Sequence, residues 1–205
     1  MTYAFDRLRI LVVEDNNPML EICKTLLITF GVGEVISAKN GDDGYKIFCK
    51  ENPDIVLADW MMNPTDGISL TRRIRNDASC PNHYVPIILM TGFSEKKRVV
   101  QARDAGVTEF LVKPFTARDL YKRVAQIIER PRQFVRSEDF FGPDRRRKAD
   151  ESFKGTYKRE TDIKQMQNQK ERMKEASLHM GELRQKAGLS KGDKISFGID
   201  DIDFS

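Results

Sequence analysis

A chain of 205 residues with 40% hydrophobic content suits one core-bearing domain plus an appendage, and is short for two average domains. Its 35 basic and 31 acidic side chains leave a formal charge of +4, too little for bulk charge to imply nucleic-acid binding. Cys23, Cys49 and Cys80 lack CxxC spacing, which argues against a disulfide framework or thiolate zinc site, and no stretch approaches the roughly 20 apolar residues of a bilayer crossing.

Apolar content is unevenly placed. Up to Pro131 apolar runs alternate with amphipathic segments; beyond it apolar residues stand singly among charged ones. Residues 1–131 carry 18 basic and 17 acidic side chains, and the remainder 17 and 14, so neither part is a polycation. The expected organisation is a domain over 1–131, a basic linker over 132–159, a helix over 160–189 and an acidic-apolar tail over 190–205. No targeting pattern precedes the first strand, and a cytoplasmic location is expected.

In chain order, LRILVVE (8–14) is apolar on both faces, as in a parallel strand covered on two sides. Asn17 and Pro18 then open a helix whose Met19, Ile22, Cys23, Leu26, Leu27 and Phe30 recur at helical spacing until Gly31. The cycle repeats with strands over 34–38, 54–59, 85–91 and 108–113. Helices follow them over about 42–50, 66–76, 94–104 and 117–129. Five strand–helix units predict an open, doubly wound, five-stranded parallel sheet. An eight-unit barrel needs roughly 250 residues.

In such sheets, sites lie beyond the carboxyl ends of the strands. Those ends carry Glu14 and Asp15, then Asp59, Thr91, and Lys113 followed by Pro114 and Phe115. Taken singly, each has a plainer use, since Asp and Thr cap helices and a terminal Lys is commonly solvated. Together, three acids at one rim repel one another unless a cation sits among them. An all-oxygen set of this kind suits Mg²⁺, and the absence of His from it argues against zinc or copper.

The motifs VVEDN (12–16), DWMMNPTDG (59–67), ILMTG (88–92) and FLVKPF (110–115) carry a resemblance to the receiver domain of two-component response regulators, the family of the chemotaxis protein CheY. The resemblance covers about residues 8–129 and implies the flavodoxin-like strand order 2-1-3-4-5. It implies that Asp59 accepts a phosphoryl group from a histidine kinase or phosphotransfer protein. It further implies that Glu14, Asp15, Asp59 and the main-chain carbonyl of Met61 hold Mg²⁺, that Lys113 and Thr91 bind the phosphoryl oxygens, and that Phe110 turns inward as the switch is thrown. One departure is Asn63, where the family commonly has Pro; here Pro64 follows one place later. Met61 is large and apolar at a position that in the resembling family borders the approach of a hydrolytic water, which leads us to expect slow loss of phosphate.

The remaining chain shows no trihelical apolar pattern of a DNA-binding domain, and about 70 weakly hydrophobic residues are too few for an independent core. In EDFFGPDRRRK (138–148), Phe140 and Phe141 precede a Gly142–Pro143 turn and the cluster Arg145, Arg146, Arg147 and Lys148. A solvated linker is the plain reading, although adjacent guanidiniums also suit phosphate diesters. Some receiver-like proteins with arginine-rich extensions bind cyclic di-GMP, which that likeness offers as a ligand. Over 160–187, Met166, Met173, Ala176, Met180, Leu183 and Ala187 approach a heptad seam weakened by Gln169 and Gly181, a helix expected to fold mainly against a partner. The closing ISFGIDDIDFS (195–205) is a docking peptide, a segment folding back on basic stretches, or plain disorder.

These features predict a response regulator that signals through a phosphorylation-dependent downstream protein target, with no DNA or membrane partner. It would be no enzyme beyond its own phosphoryl transfer and loss. The alternative is an adaptor whose arginine-rich tail binds cyclic di-GMP.

Overall fold

The computed structural model describes residues 5–92, 96–136, 140–144 and 160–186. Strands and helices alternate through β1 (Arg9–Val13), α1 (Asn17–Thr29), β2 (Glu34–Ala38), α2 (Gly41–Glu51), β3 (Ile55–Asp59), α3 (Gly67–Asn76), β4 (Ile87–Thr91), α4 (Lys96–Ala105), β5 (Glu109–Val112) and α5 (Ala117–Glu129). The five strands form one parallel sheet in the order β2-β1-β3-β4-β5, the doubly wound arrangement read from the sequence.

Successive strand residues point to opposite faces, so a run that is apolar throughout is covered on both sides. Ile10, Val12, Leu57, Ile88 and Met90 pack with Leu20, Cys23 and Leu27 of α1 and Leu120 and Val124 of α5. Leu11, Val13, Val56, Ala58 and Leu89 pack with Phe48 of α2, Ile68, Leu70 and Ile74 of α3, and Ala102 of α4. Asn16, Asn40 and Asp66 each accept a hydrogen bond from a backbone N–H three residues on, and Thr116 with Asp119 forms a reciprocal capping box. Such caps are worth about 1 kcal/mol each and fix where the strand-end loops turn into helices.

Within the span read as a basic linker, two short strands, β6 (Phe134–Arg136) and β7 (Phe141–Pro143), pair antiparallel. Their Phe134 and Phe141 rings lie 5.3 and 5.1 Å from the ring of Tyr84, an edge-on cluster. Beneath it lies Arg75, fully buried, whose guanidinium donates to the carbonyls of His83 (2.7 Å), Val85 (2.8 Å) and Gly106 (3.1 Å). Burial pushes the pKa of this group down to about 9. A Cβ at Gly142 would meet the Cα of Gly106 at 2.8 Å, so the hairpin sits close against the turn that precedes β5. Residues 145–148, the basic cluster, lie outside the described residues, as does the tail over 190–205.

The helix expected to need a partner instead packs on the chain's own domain. Helix α6 (Glu160–Lys186) buries Met173 and Ala176 in the core layer that contains α5. Gln169, which looks like a flaw in an apolar seam, is buried too: its Oε1 accepts from Asn82 Nδ2 at 2.6 Å. Arg172 Nε lies 2.7 Å from Asp54 Oδ1, and His179 Nε2 lies 2.7 Å from Asp6 Oδ1. Asp6, Asp54 and Asn82 all precede strands, so α6 crosses the amino-terminal end of the sheet. Burial raises the Asp54 carboxyl above its ordinary range, an effect partly offset by the Arg9 N–H and the Arg172 and Arg9 charges. Because Met173 is 1% exposed, Met173→Ala should cost about 2–5 kcal/mol in a urea titration. A cost under about 0.5 kcal/mol would mean that α6 stands free in solvent.

Candidate functional site

Parallel pairing brings the carboxyl ends of β1, β3, β4 and β5 to one edge, and there the sequence-predicted side chains converge. Asp59 is the last residue of β3, Thr91 the last of β4, Glu14 and Asp15 follow β1, and Lys113 follows β5. Gly67, at the start of α3, lets that helix approach closely: a Cβ there would overlap the carbonyl oxygen of Asp59. The loop between them carries Trp60, buried, and Met61, 59% exposed at the mouth.

The Lys113 ammonium lies 2.7 Å from Asp59 Oδ1 and 2.8 Å from Glu14 Oε2. Backbone amides supply further donors, from Met61 N–H to Asp59 Oδ2 at 3.2 Å and from Asn16 N–H to Glu14 Oε1 at 3.3 Å. Glu14 is 1% exposed, and burial raises its carboxyl pKa; the Lys113 hydrogen bond opposes that shift, whereas the nearby Asp59 charge adds to it. Burial works against the Lys113 ammonium as well, but its hydrogen bonds and charge attraction to Asp59 and Glu14 outweigh it and raise its pKa.

Carboxylate oxygens of Glu14, Asp15 and Asp59 lie within 4.8 Å of one another. Three acids and one ammonium leave the cluster with an uncompensated negative charge in a partly buried place, the donor set a hard divalent cation fits. Thr91 is buried at 1% exposure, and its carbonyl accepts from Lys113 N–H at 2.8 Å, which ties the ends of β4 and β5 together. Phe110 is half-buried against the layer containing α4. Sequence reading missed the amide donors of Asn16 and Met61, because any residue supplies an N–H and only the turn aims it. It also missed Arg98, whose guanidinium sits 5.9 Å from the Trp60 ring centre.

The profile of the response regulator receiver domain matches residues 10–125, and the chain belongs to that family. The chain is 31% identical over 121 residues to the phosphate regulon transcriptional regulatory protein PhoB of Pseudomonas aeruginosa, covering 59% of this chain and 52% of PhoB. It therefore spans about half of that relative's length. It is 32% identical over 123 residues to the chemotaxis protein CheY-3 of Vibrio cholerae, covering 60% of this chain and 93% of CheY-3. A putative response regulator from Chloroflexus aurantiacus superposes with a TM-score of 0.54 at 27% identity, over 58% of this chain and 96% of that one. Vibrio cholerae CheY4, at 22% identity and a TM-score of 0.55 over 58% of this chain and 98% of its own, shares the fold. The chain is thus a response regulator of two-component signalling. Among the described residues no helix is long and apolar enough to cross a membrane.

Replacing Lys113 with Met leaves Glu14 and Asp59 facing each other with no ammonium between them. Denaturant unfolding in chelator should show a loss of about 1–3 kcal/mol. Millimolar divalent cation should then recover part of it, because a ligand bound only to the folded state stabilises that state. A variant as stable as wild type and indifferent to cation would contradict this account of the cluster.

Proposed function

We propose that Asp59 accepts a phosphoryl group from the phosphohistidine of a histidine kinase or phosphotransfer protein, and that the phosphorylated domain docks onto a downstream protein in the cytoplasm. The observation that carries this reading is the Lys113 ammonium held 2.7 Å from Asp59 and 2.8 Å from Glu14 at the strand ends. An Asp59 carboxylate oxygen forms the bond to phosphorus as the phosphorus–nitrogen bond of the donor imidazole breaks. Little covalent assistance is needed; in-line positioning and stabilisation of charge on the equatorial oxygens suffice.

Glu14, Asp15, Asp59 and the Met61 carbonyl would hold Mg²⁺, which when bound supplies charge stabilisation on those oxygens. Lys113 does the same from the other side, and buried Thr91 offers a hydroxyl to one oxygen once its strand end shifts. Each charge-assisted contact is worth about 1.5–3 kcal/mol, so two or three approach the roughly 5.5 kcal/mol that converts a mostly-off equilibrium into a mostly-on one. Phe110, on the strand that ends at Lys113, is the aromatic whose inward turn would carry the change to the surface of α4 and α5. The chain is no enzyme in this reading beyond its own phosphoryl transfer and loss.

Trp60, next to Asp59 and the chain's one tryptophan, gives a direct readout. Acetyl phosphate with Mg²⁺ should change its emission, and chelator or Asp59→Asn should abolish the change; an identical response from Asp59→Asn would refute the proposal. Exposed Met61 stands beside the approach of water, so the phosphoryl group should persist for minutes or longer in purified protein. Loss within seconds would remove Met61 from this role.

A further inference from the structure

Of the four ligands assigned to Mg²⁺ above, Glu14, Asp15 and Asp59 stand at strand ends, whereas the Met61 carbonyl is carried by a loop. That loop, residues 60–66, is well fixed at its base. Trp60 N–H donates to the Met90 carbonyl at 2.9 Å, Gly67 N–H donates to the Trp60 carbonyl at 3.1 Å, and the Trp60 and Met62 side chains are buried. Its crest, Asn63 and Pro64, is exposed.

The far side of the crest is tied to the start of α2. Thr65 Oγ1 donates to Asp42 Oδ2 at 2.7 Å, and the Thr65 carbonyl accepts from Gly41 N–H at 3.0 Å. A Cβ at Gly41 would meet that carbonyl oxygen at 2.6 Å, so the close approach needs a residue without one. Asp42 Oδ1 faces Arg73 Nη1 at 3.4 Å, and the Arg73 guanidinium lies 4.0 Å from the Tyr45 ring centre. Loop, α2 and α3 thus meet on one carboxylate. An acid at this place would suit the first turn of α2 by itself, because it complements the helix dipole. The Thr65 hydroxyl gives it a second use.

We propose that Thr65 and Asp42 are positioning residues for Mg²⁺, their hydrogen bond holding the loop in the shape that presents the Met61 carbonyl beside the three carboxylates. The inference rests on the cation site of the proposed function, and neither residue is itself a ligand. A carbonyl already in place does not have to be ordered when the ion binds, so loss of the tie weakens binding without abolishing it. If the untied loop keeps the right shape about a tenth to a third of the time, the apparent dissociation constant rises about three- to tenfold.

Titration of the full chain with Mg²⁺ and no phosphodonor, read by Trp60 emission, tests this. Thr65→Val keeps the side-chain shape and removes the hydroxyl; it should raise the half-saturating Mg²⁺ concentration about three- to tenfold, and Thr65→Ser should restore it. Asp42→Ala should weaken binding at least as much, and adding Thr65→Val to it should change nothing further, because both remove the same bond. In chelator, the Gly41 amide should exchange faster in Thr65→Val than in wild type. Both side chains are half-buried, so the variants should fold, which melting in chelator checks; should one unfold, the other carries the test. A tie that serves the fold alone would lower the melting temperature and leave half-saturation at the wild-type value, which would overturn the inference. Additive effects of the two substitutions would overturn it too. A wild-type chain whose emission and melting are both indifferent to Mg²⁺ would fail at the cation site itself, and the proposed function would fall together with this inference.

Discussion

One ammonium between two buried carboxylates organises the reactive end of this molecule. Glu14 and Asp59 stand at the carboxyl ends of the neighbouring parallel strands β1 and β3, so their side chains are brought together by the backbone whether or not their charges agree. Lys113 Nζ, under 3 Å from both, makes the juxtaposition tolerable. Removing one partner from a buried charge set leaves an uncompensated charge, which is why position 113 cannot be treated as an independent surface lysine. The same arrangement holds Asp59, 7% exposed, beside a concentrated positive charge.

The polarity of a parallel sheet separates two kinds of work. Carboxyl ends of strands gather Glu14, Asp15, Asp59, Thr91 and Lys113, while the amino-terminal ends present Asp6, Asp54 and Asn82. Asp54 and Asn82 are buried there and need partners, which α6 provides: Gln169 for Asn82 and Arg172 for Asp54, while His179 lies beside the exposed Asp6. Among the described side chains Met173 and Ala176 are the buried apolar ones of that contact, and the polar pairs beside them help to fix the register of α6 on the domain.

What the sequence makes legible follows from how local each signal is. Strand-end residues such as Asp59 and Lys113 stand out because an apolar run stops on a charged side chain, and the parallel topology dictates that the stops meet. The docking of α6 is illegible for the opposite reason. Gln169 interrupts an apolar seam and Arg172 flanks it, and only their distant partners, 87 and 118 residues away, show that these polar side chains are part of the contact itself. The hairpin of β6 and β7 is hidden as well. Two three-residue strands, the second ending in Gly-Pro, carry too little period to read, and Phe141 is placed by Tyr84 rather than by its own neighbours. No sequence signal marks Arg75 for burial; the carbonyls at 83, 85 and 106 draw it fully inside.

In the proposed function Asp59 is the carboxylate that this constellation activates. Fragment-mass mapping of the full chain after incubation with acetyl phosphate and Mg²⁺ tests it most directly. One phosphoryl group located on the peptide bearing Asp59, and on no other side chain, is the predicted result. An unmodified chain, or a phosphoryl group mapped to a different residue, would contradict it.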